Sequence, residues 1–146
     1  MSPETIFSLC TKLVLPGWLL LVFLPRWRWS ARLISAVIIP LALAVVYVYI
    51  VASHFGRSEG GFGSLADVGR LFQNPHALLA GWIHYLAFDL FVGAGEVRDA
   101  QRVGLHHLLV VPCLVLTFLF GPAGLLLYFL LRGALRRDFL IGGEPA

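Results

Sequence analysis

The chain has 146 residues, of which 59% are hydrophobic and only 13% charged, and its mean hydropathy is +0.85. A soluble domain carries about 25% charged residues, and a single core of this length cannot hide so much apolar surface. Disorder is excluded by the same numbers, because it needs low hydrophobicity and high charge.

These totals predict an all-α polytopic membrane protein, a single domain over residues 1–146. Its four transmembrane helices are expected at about 5–24, 33–52, 76–95 and 105–131, each close to the ~20 apolar residues a span requires. The net charge of +3 reads as arginine at membrane interfaces rather than a nucleic-acid surface. No basic cluster with interleaved aromatics suggests a polynucleotide partner.

The first run, 5–24, contains Lys12, Pro16 and Gly17. Pro16 deletes one helical hydrogen bond and predicts a kink there. Lys12 is expected to snorkel to the interface. Met1-Ser2-Pro3-Glu4 has no basic n-region, so the first run reads as a retained span.

Next come Pro25-Arg26-Trp27-Arg28-Trp29, which put tryptophan at headgroup depth with arginine reaching phosphates. The second run, 33–52, is apolar on every side. A polar connection from His54 to Asn74 follows. Within it, Leu65, Val68, Leu71 and Phe72 share one helical face, which predicts a short amphipathic helix lying on the membrane surface.

Asn74-Pro75 is a helix-start pair, a capping side chain before a proline at the first helical position. The third run, 76–95, carries an acid in mid-span, and a charged turn is expected from Glu96 to Arg102. The fourth run, 105–131, contains Pro112 and Gly121-Pro122, and the tail after Arg137 is expected to fray. Four spans would leave both termini on one side of the membrane. Arg57, Arg70, Arg132, Arg136 and Arg137 would then balance Arg26, Arg28, Arg32, Arg98 and Arg102, so the positive-inside rule gives no orientation.

Ionisable groups at membrane depth are costly and are therefore functional candidates. Here they concentrate on the third run. At about 100° per residue, Trp82, Tyr85, Asp89, Glu96 and Asp99 form one stripe. His84 lies well round the helix from Asp89. His106, Val110, Cys113, Thr117 and Gly121 form a matching stripe on the fourth run, and a short turn between the two runs would let His106 or His107 approach Glu96 and Asp99. A carboxylate beside an imidazole could bind a metal, relay a proton or form a buried pair.

Each piece also has a plainer reading. Asp89 could be a structural partner of Arg98 or Tyr85. The charges from Glu96 to Arg102 could be a solvated turn. Trp82, Phe88 and Phe91 could be helix packing. Cys10 and Cys113 sit in apolar runs and read as small hydrophobes, neither a disulfide frame nor a metal motif. No nucleophile elbow, phosphate loop or His-Glu-x-x-His zinc motif is present.

The segment Gly81-Trp82-Ile83-His84-Tyr85-Leu86-Ala87-Phe88-Asp89-Leu90-Phe91-Val92-Gly93, followed by Pro112-Cys113-Leu114 and Gly121-Pro122-Ala123-Gly124, resembles the abscisic-acid-deficient-four-like (neoxanthin synthase-like) family of small membrane proteins. The likeness covers the C-terminal two thirds; the first two runs agree only in hydrophobic pattern. Plant members act in plastid membranes in forming neoxanthin from violaxanthin. The resemblance therefore implies carotenoid chemistry, and for this shorter form a bacterial inner membrane. One departure is that Ala94 stands where many members carry arginine; the nearest arginine here is Arg98.

Turning a 5,6-epoxide end group into an allenic alcohol is an isomerisation. A proton leaves the polyene side and a proton reaches the epoxide oxygen, with no net oxidant or reductant, so no cofactor is expected. The resemblance makes Asp89 the acid/base candidate, with His84, His106 and Glu96 as partners. Trp82, Tyr85, Phe88, Phe91, Arg98 and Asp99 are then the candidate substrate contacts. Two other readings stand beside this one. The first is a non-catalytic subunit that binds pigment, lipid or a partner membrane protein, with self-association possible. The second is a haem or metal protein with His84 and His106 as ligands.

Overall fold

The computed structural model describes residues 1–54, 56 and 59–137; Arg57 and the tail beyond Arg137 lie outside the described residues. Among these, all regular structure is helical. Helix α1 spans Pro3–Phe23 and α2 spans Ser30–His54. A short α3 covers Leu65–Leu71, α4 covers Pro75–Arg102, α5 covers His107–Phe120 and α6 covers Pro122–Arg136. By length and apolar character, α1, α2 and α4 can each cross a membrane.

Local chemistry sets the helix starts. Ser2 accepts the Thr5 N–H before Pro3, and Asn74 accepts the N–H groups of His76 and Ala77 before Pro75. Such caps satisfy donors that a helix start leaves orphaned. Helix α1 continues through Pro16 as one element. Ser35 on α2 donates its hydroxyl to the Gly17 carbonyl of α1 at 3.0 Å, in the buried seam between the two helices.

Helix α2 begins as a π-helix, Ser30–Ile38, and becomes α-helical at Ile39–His54. The register changes immediately before Pro40. Proline has no N–H to donate and crowds the carbonyl four residues earlier, so a wide turn at that point accommodates it.

Helix α4 is the centre of the bundle and packs against α1, α2, α5 and α6. Its start lies beside the start of α1, where the Trp82 indole N–H donates to Thr11. It also meets the end of α2, where His54 stacks on His76 at 3.7 Å. Its other end meets the end of α1, where Gln101 donates to the Pro25 carbonyl and His107 bonds the Val22 carbonyl. Thus α1 and α4 run in the same direction and α2 runs against them. The two ends of the bundle are called here the Asn74 end and the Gly104 end.

Two expectations are corrected. The predicted turn at Glu96–Arg102 is helical and completes α4, because Glu96 and Asp99 are buried against α5 and α6 instead of facing solvent. The predicted single run at 105–131 is two helices. Gly121 has φ +44° and ψ −95°, outside helical geometry, and Pro122 restarts the chain as the first residue of α6.

Helix α6 then folds back along α5. Gly124 makes this possible, because a Cβ there would collide with Thr117 and the Cys113 carbonyl. The break lies against Asp89, at the middle of α4. The return leg ends where Arg136 donates to the Gly104 carbonyl. Helix α6 therefore finishes at the Gly104 end, opposite the start of α1, and the two ends of the described chain do not share a side of the bundle.

A short helix, α3, lies where the amphipathic surface helix is expected. Ser64 caps it by accepting the Asp67 N–H, and none of its residues is buried.

Candidate functional site

The buried face of α4 toward the hairpin is polar. Asp89 lies at the hairpin tip, with its carboxylate oxygens 2.9 and 3.1 Å from where a Gly121 Cβ would stand. Two turns further on, Glu96 is 3% exposed and accepts the Thr117 hydroxyl at 2.9 Å. Another turn on, Asp99 is 5% exposed. It accepts the Tyr128 hydroxyl at 2.6 Å, Arg132 Nε at 2.7 Å and Arg102 at 2.7 Å.

The three acids differ sharply in their partners. Asp99 is neutralised by two arginines and fixed by a phenol, as a carboxylate kept in low dielectric must be. Glu96 has a single neutral donor on one oxygen. Glu96 Oε2 and Asp89 Oδ2 are buried and have no hydrogen-bond partner among the described residues. Native structures pair nearly all such atoms, and the exceptions mark places of strain or chemistry.

Helix α6 supplies the Asp99 partners by a four-residue rhythm. Gly124, Tyr128 and Arg132 form its buried face, and Arg132 is fully buried. Helix α5 turns Val110, Cys113, Leu114 and Thr117 inward, which includes most of the predicted stripe. Beside Glu96 a groove of about 340 Å³ opens between α4 and α6. Phe91, Val92 and Leu125 give it an apolar floor, and Glu96, Asp99, Tyr128, Arg98 and Arg102 lie along its wall toward the Gly104 end.

The structure brings Asp89, Glu96 and Asp99 onto one face, with Tyr85 beside them. The Tyr85 hydroxyl donates to the Phe118 carbonyl at 2.9 Å, near the end of α5. Phe91, Arg98 and Asp99 line the groove. Trp82 does not: its ring stacks on Tyr85 and meets Phe7, and its N–H goes to α1. Phe88 is 58% exposed and stacks on His84, which faces Tyr47 of α2.

His106 is not brought to Asp89 or Glu96. It lies at the start of α5, about 20 Å of helix rise from the hairpin tip. There, with Arg26, Gln101 and His107, it lines a separate cavity at the Gly104 end. His84 and His106 thus do not converge, and among the described residues no group of three His, Cys, Asp or Glu is placed to hold a metal ion. Cys10 and Cys113 are free and buried.

Sequence reasoning took Arg132 for an interface residue and gave Tyr128 no role. The available signal was Gly121-Pro122 with Tyr128 and Arg132 after it, one turn apart: a helix break, then a polar pair on one face of the next helix.

This architecture defines a helical membrane protein whose central helix carries acids packed against a folded-back helix pair. The family model described as ABA DEFICIENT 4-like matches residues 5–128, and the chain belongs to that family. A curated relative, Protein ABA DEFICIENT 4, chloroplastic, from Arabidopsis thaliana, is 24% identical over 146 residues, which cover 93% of this chain and 64% of the relative. The chain thus spans just under two thirds of that relative's length. The relative is a chloroplast protein, so the expectation of a bacterial inner membrane draws no support from it. No solved structure matches the chain.

Proposed function

We propose that this protein isomerises a carotenoid end group or polyene by acid/base chemistry, with Glu96 and Asp89 as the proton-handling groups. The observation that carries the reading is the pair of buried, unpartnered carboxyl oxygens on one face of α4, one of them in the wall of an apolar groove. Family membership supports the carotenoid class.

In this reading a hydroxylated end group enters the groove at membrane level. Its ring lies over Phe91 and Leu125, and its hydroxyl reaches the polar rim by Arg98 and Arg102. Glu96 takes a proton from the polyene side or gives one to the epoxide oxygen, and no electrons are exchanged with a third party. Asp99 stays with its arginines and holds α6 in place. Asp89 fixes the hairpin tip and serves as the second proton-handling group. Helix α3, with Leu65 at its start and Phe62 just before it both largely exposed, rests on the lipid surface.

Binding of pigment without turnover is the second reading, and the predominantly apolar groove suits it equally. The test is co-expression with a violaxanthin-producing pathway, followed by chromatography of extracted pigments. New allenic or cis products with the wild type, lost in Glu96→Gln and Asp89→Asn, support isomerisation. Pigment that co-purifies unchanged with the wild type supports binding alone. No bound pigment and no new product removes both.

A further inference from the structure

The hairpin has a consequence for how the chain meets the membrane. Helix α5 has 14 residues and α6 has 15, so each rises only about 21–23 Å, short of the ~30 Å hydrocarbon core. Both legs begin or end at the Gly104 end, and their turn sits at Asp89, halfway along α4. A broken backbone at membrane depth is tolerated where its polar groups are covered; here Gly121 is buried against Asp89 and Tyr85 takes the Phe118 carbonyl, while the exposed neighbours Phe120, Pro122 and Ala123 carry apolar side chains.

This placement redistributes the arginines. Arg26, Arg28 and Arg32 follow α1, Arg98 and Arg102 end α4, and Arg136 and Arg137 end α6, all exposed at the Gly104 end. The other end has Arg70; Arg57 lies outside the described residues. With four spans the arginines balanced. With a folded-back pair they fall decisively on one side, the side the positive-inside rule assigns to the cytoplasm or its equivalent.

The same hairpin leaves Glu96 on a groove that reaches the Gly104 end. Glu96 is buried with an unpartnered oxygen, and it walls the groove that runs between α4 and α6 toward Arg98 and Arg102. The ionisable groups around it and along its groove include Asp89, Arg98, Asp99 and Arg102 on α4, Cys113 on α5, and Tyr128 and Arg132 on α6.

We propose that α5 and α6 form a re-entrant hairpin, that the chain crosses the membrane three times, and that Glu96 exchanges a proton only with the arginine-rich, cytoplasmic-side compartment. The site's ligand is the proton. It leaves the Glu96 carboxyl for a water at the groove mouth and returns by the same route, with no electron transfer. The inference holds whether or not the protein turns over a carotenoid, so its failure and that of the proposed function are separable.

Two measurements on the full chain in sealed membrane vesicles test it. Single cysteines replace Ser2, Ser64, Arg28 and Arg137 in a Cys10→Ser/Cys113→Ser background. If that background folds poorly, the buried native cysteines are kept. A membrane-impermeant maleimide should label Arg28→Cys and Arg137→Cys from one face, and Ser2→Cys and Ser64→Cys from the other. Labelling of Ser2→Cys and Arg137→Cys from the same face overturns the re-entrant hairpin.

The second measurement uses dicyclohexylcarbodiimide, which adds to protonated carboxyls in apolar surroundings, read by peptide mass. Label should appear on Glu96, vanish in Glu96→Gln, and fall severalfold when pH is raised on the arginine-rich face alone. No label on Glu96, or a response only to the opposite face, overturns the one-sided exchange.

Discussion

Replacing Arg132 with Met should destabilise the protein strongly, because the replacement takes the one fully buried cationic partner from a buried carboxylate. Arg132 is fully buried, and its Nε lies 2.7 Å from Asp99 Oδ2, on an acid whose side chain is 4% exposed. Removing one partner of a buried ion pair typically costs about 3–5 kcal/mol. Arg102 and Tyr128 still face Asp99 in this variant, so the lower end, about 3 kcal/mol, is expected.

The double variant Asp99→Asn/Arg132→Met removes both charges. It should cost less than the sum of the single changes, with a coupling of about 2 kcal/mol, within the range for residues in direct contact. The assay is reversible unfolding of the purified protein in detergent micelles by sodium dodecyl sulfate titration, followed by tryptophan fluorescence. Additivity of the two changes within about 0.5 kcal/mol would show that the pair does not interact, and the account of α6 docking would fail with it.

Further expectations come from the hairpin and its seams. Gly121→Ala puts a Cβ at a positive φ and against the Asp89 carboxylate; backbone strain of this kind costs about 1–3 kcal/mol, read as a lower unfolding midpoint, and an unchanged midpoint would contradict the tip geometry. Thr117→Val leaves both Glu96 oxygens without a donor; a loss of about 1–3 kcal/mol is expected, and the double variant with Glu96→Gln should show non-additivity. Ser35→Ala removes the buried hydroxyl that reaches the Gly17 carbonyl; about 1 kcal/mol should be lost in the same titration, and no change would mean that the seam is satisfied otherwise.

The apolar runs of α1, α2 and α4 were legible in the sequence because length and composition alone mark them, and Asn74-Pro75 announced where α4 begins. The stripe of Tyr85, Asp89 and Glu96 was legible because helical spacing places it. The fate of 105–131 was not. Its hydropathy is continuous, and Gly121-Pro122 is compatible with either a kinked span or a reversal.

Tertiary contacts decide for reversal. Gly124 can approach Thr117, and Arg132 can reach Asp99 only if α6 runs back along α4. That same contact turned Glu96–Arg102 from an expected solvated turn into a buried end of helix. The histidines were misplaced for a related reason: His106 precedes α5 by one residue, so it stays at the bundle's end while the carboxylates lie deeper.

The central claim is that the buried carboxyl groups do proton chemistry on a carotenoid. Wild-type protein reconstituted in lipid vesicles with a 5,6-epoxy carotenoid should yield a product of identical mass and different retention, with no oxidant or reductant added. Glu96→Gln should slow that conversion by about 100-fold or more, the usual contribution of a general acid or base. Substrate left unchanged by folded wild-type protein, or equal conversion by the wild type and an Asp89→Asn/Glu96→Gln variant, would contradict the claim.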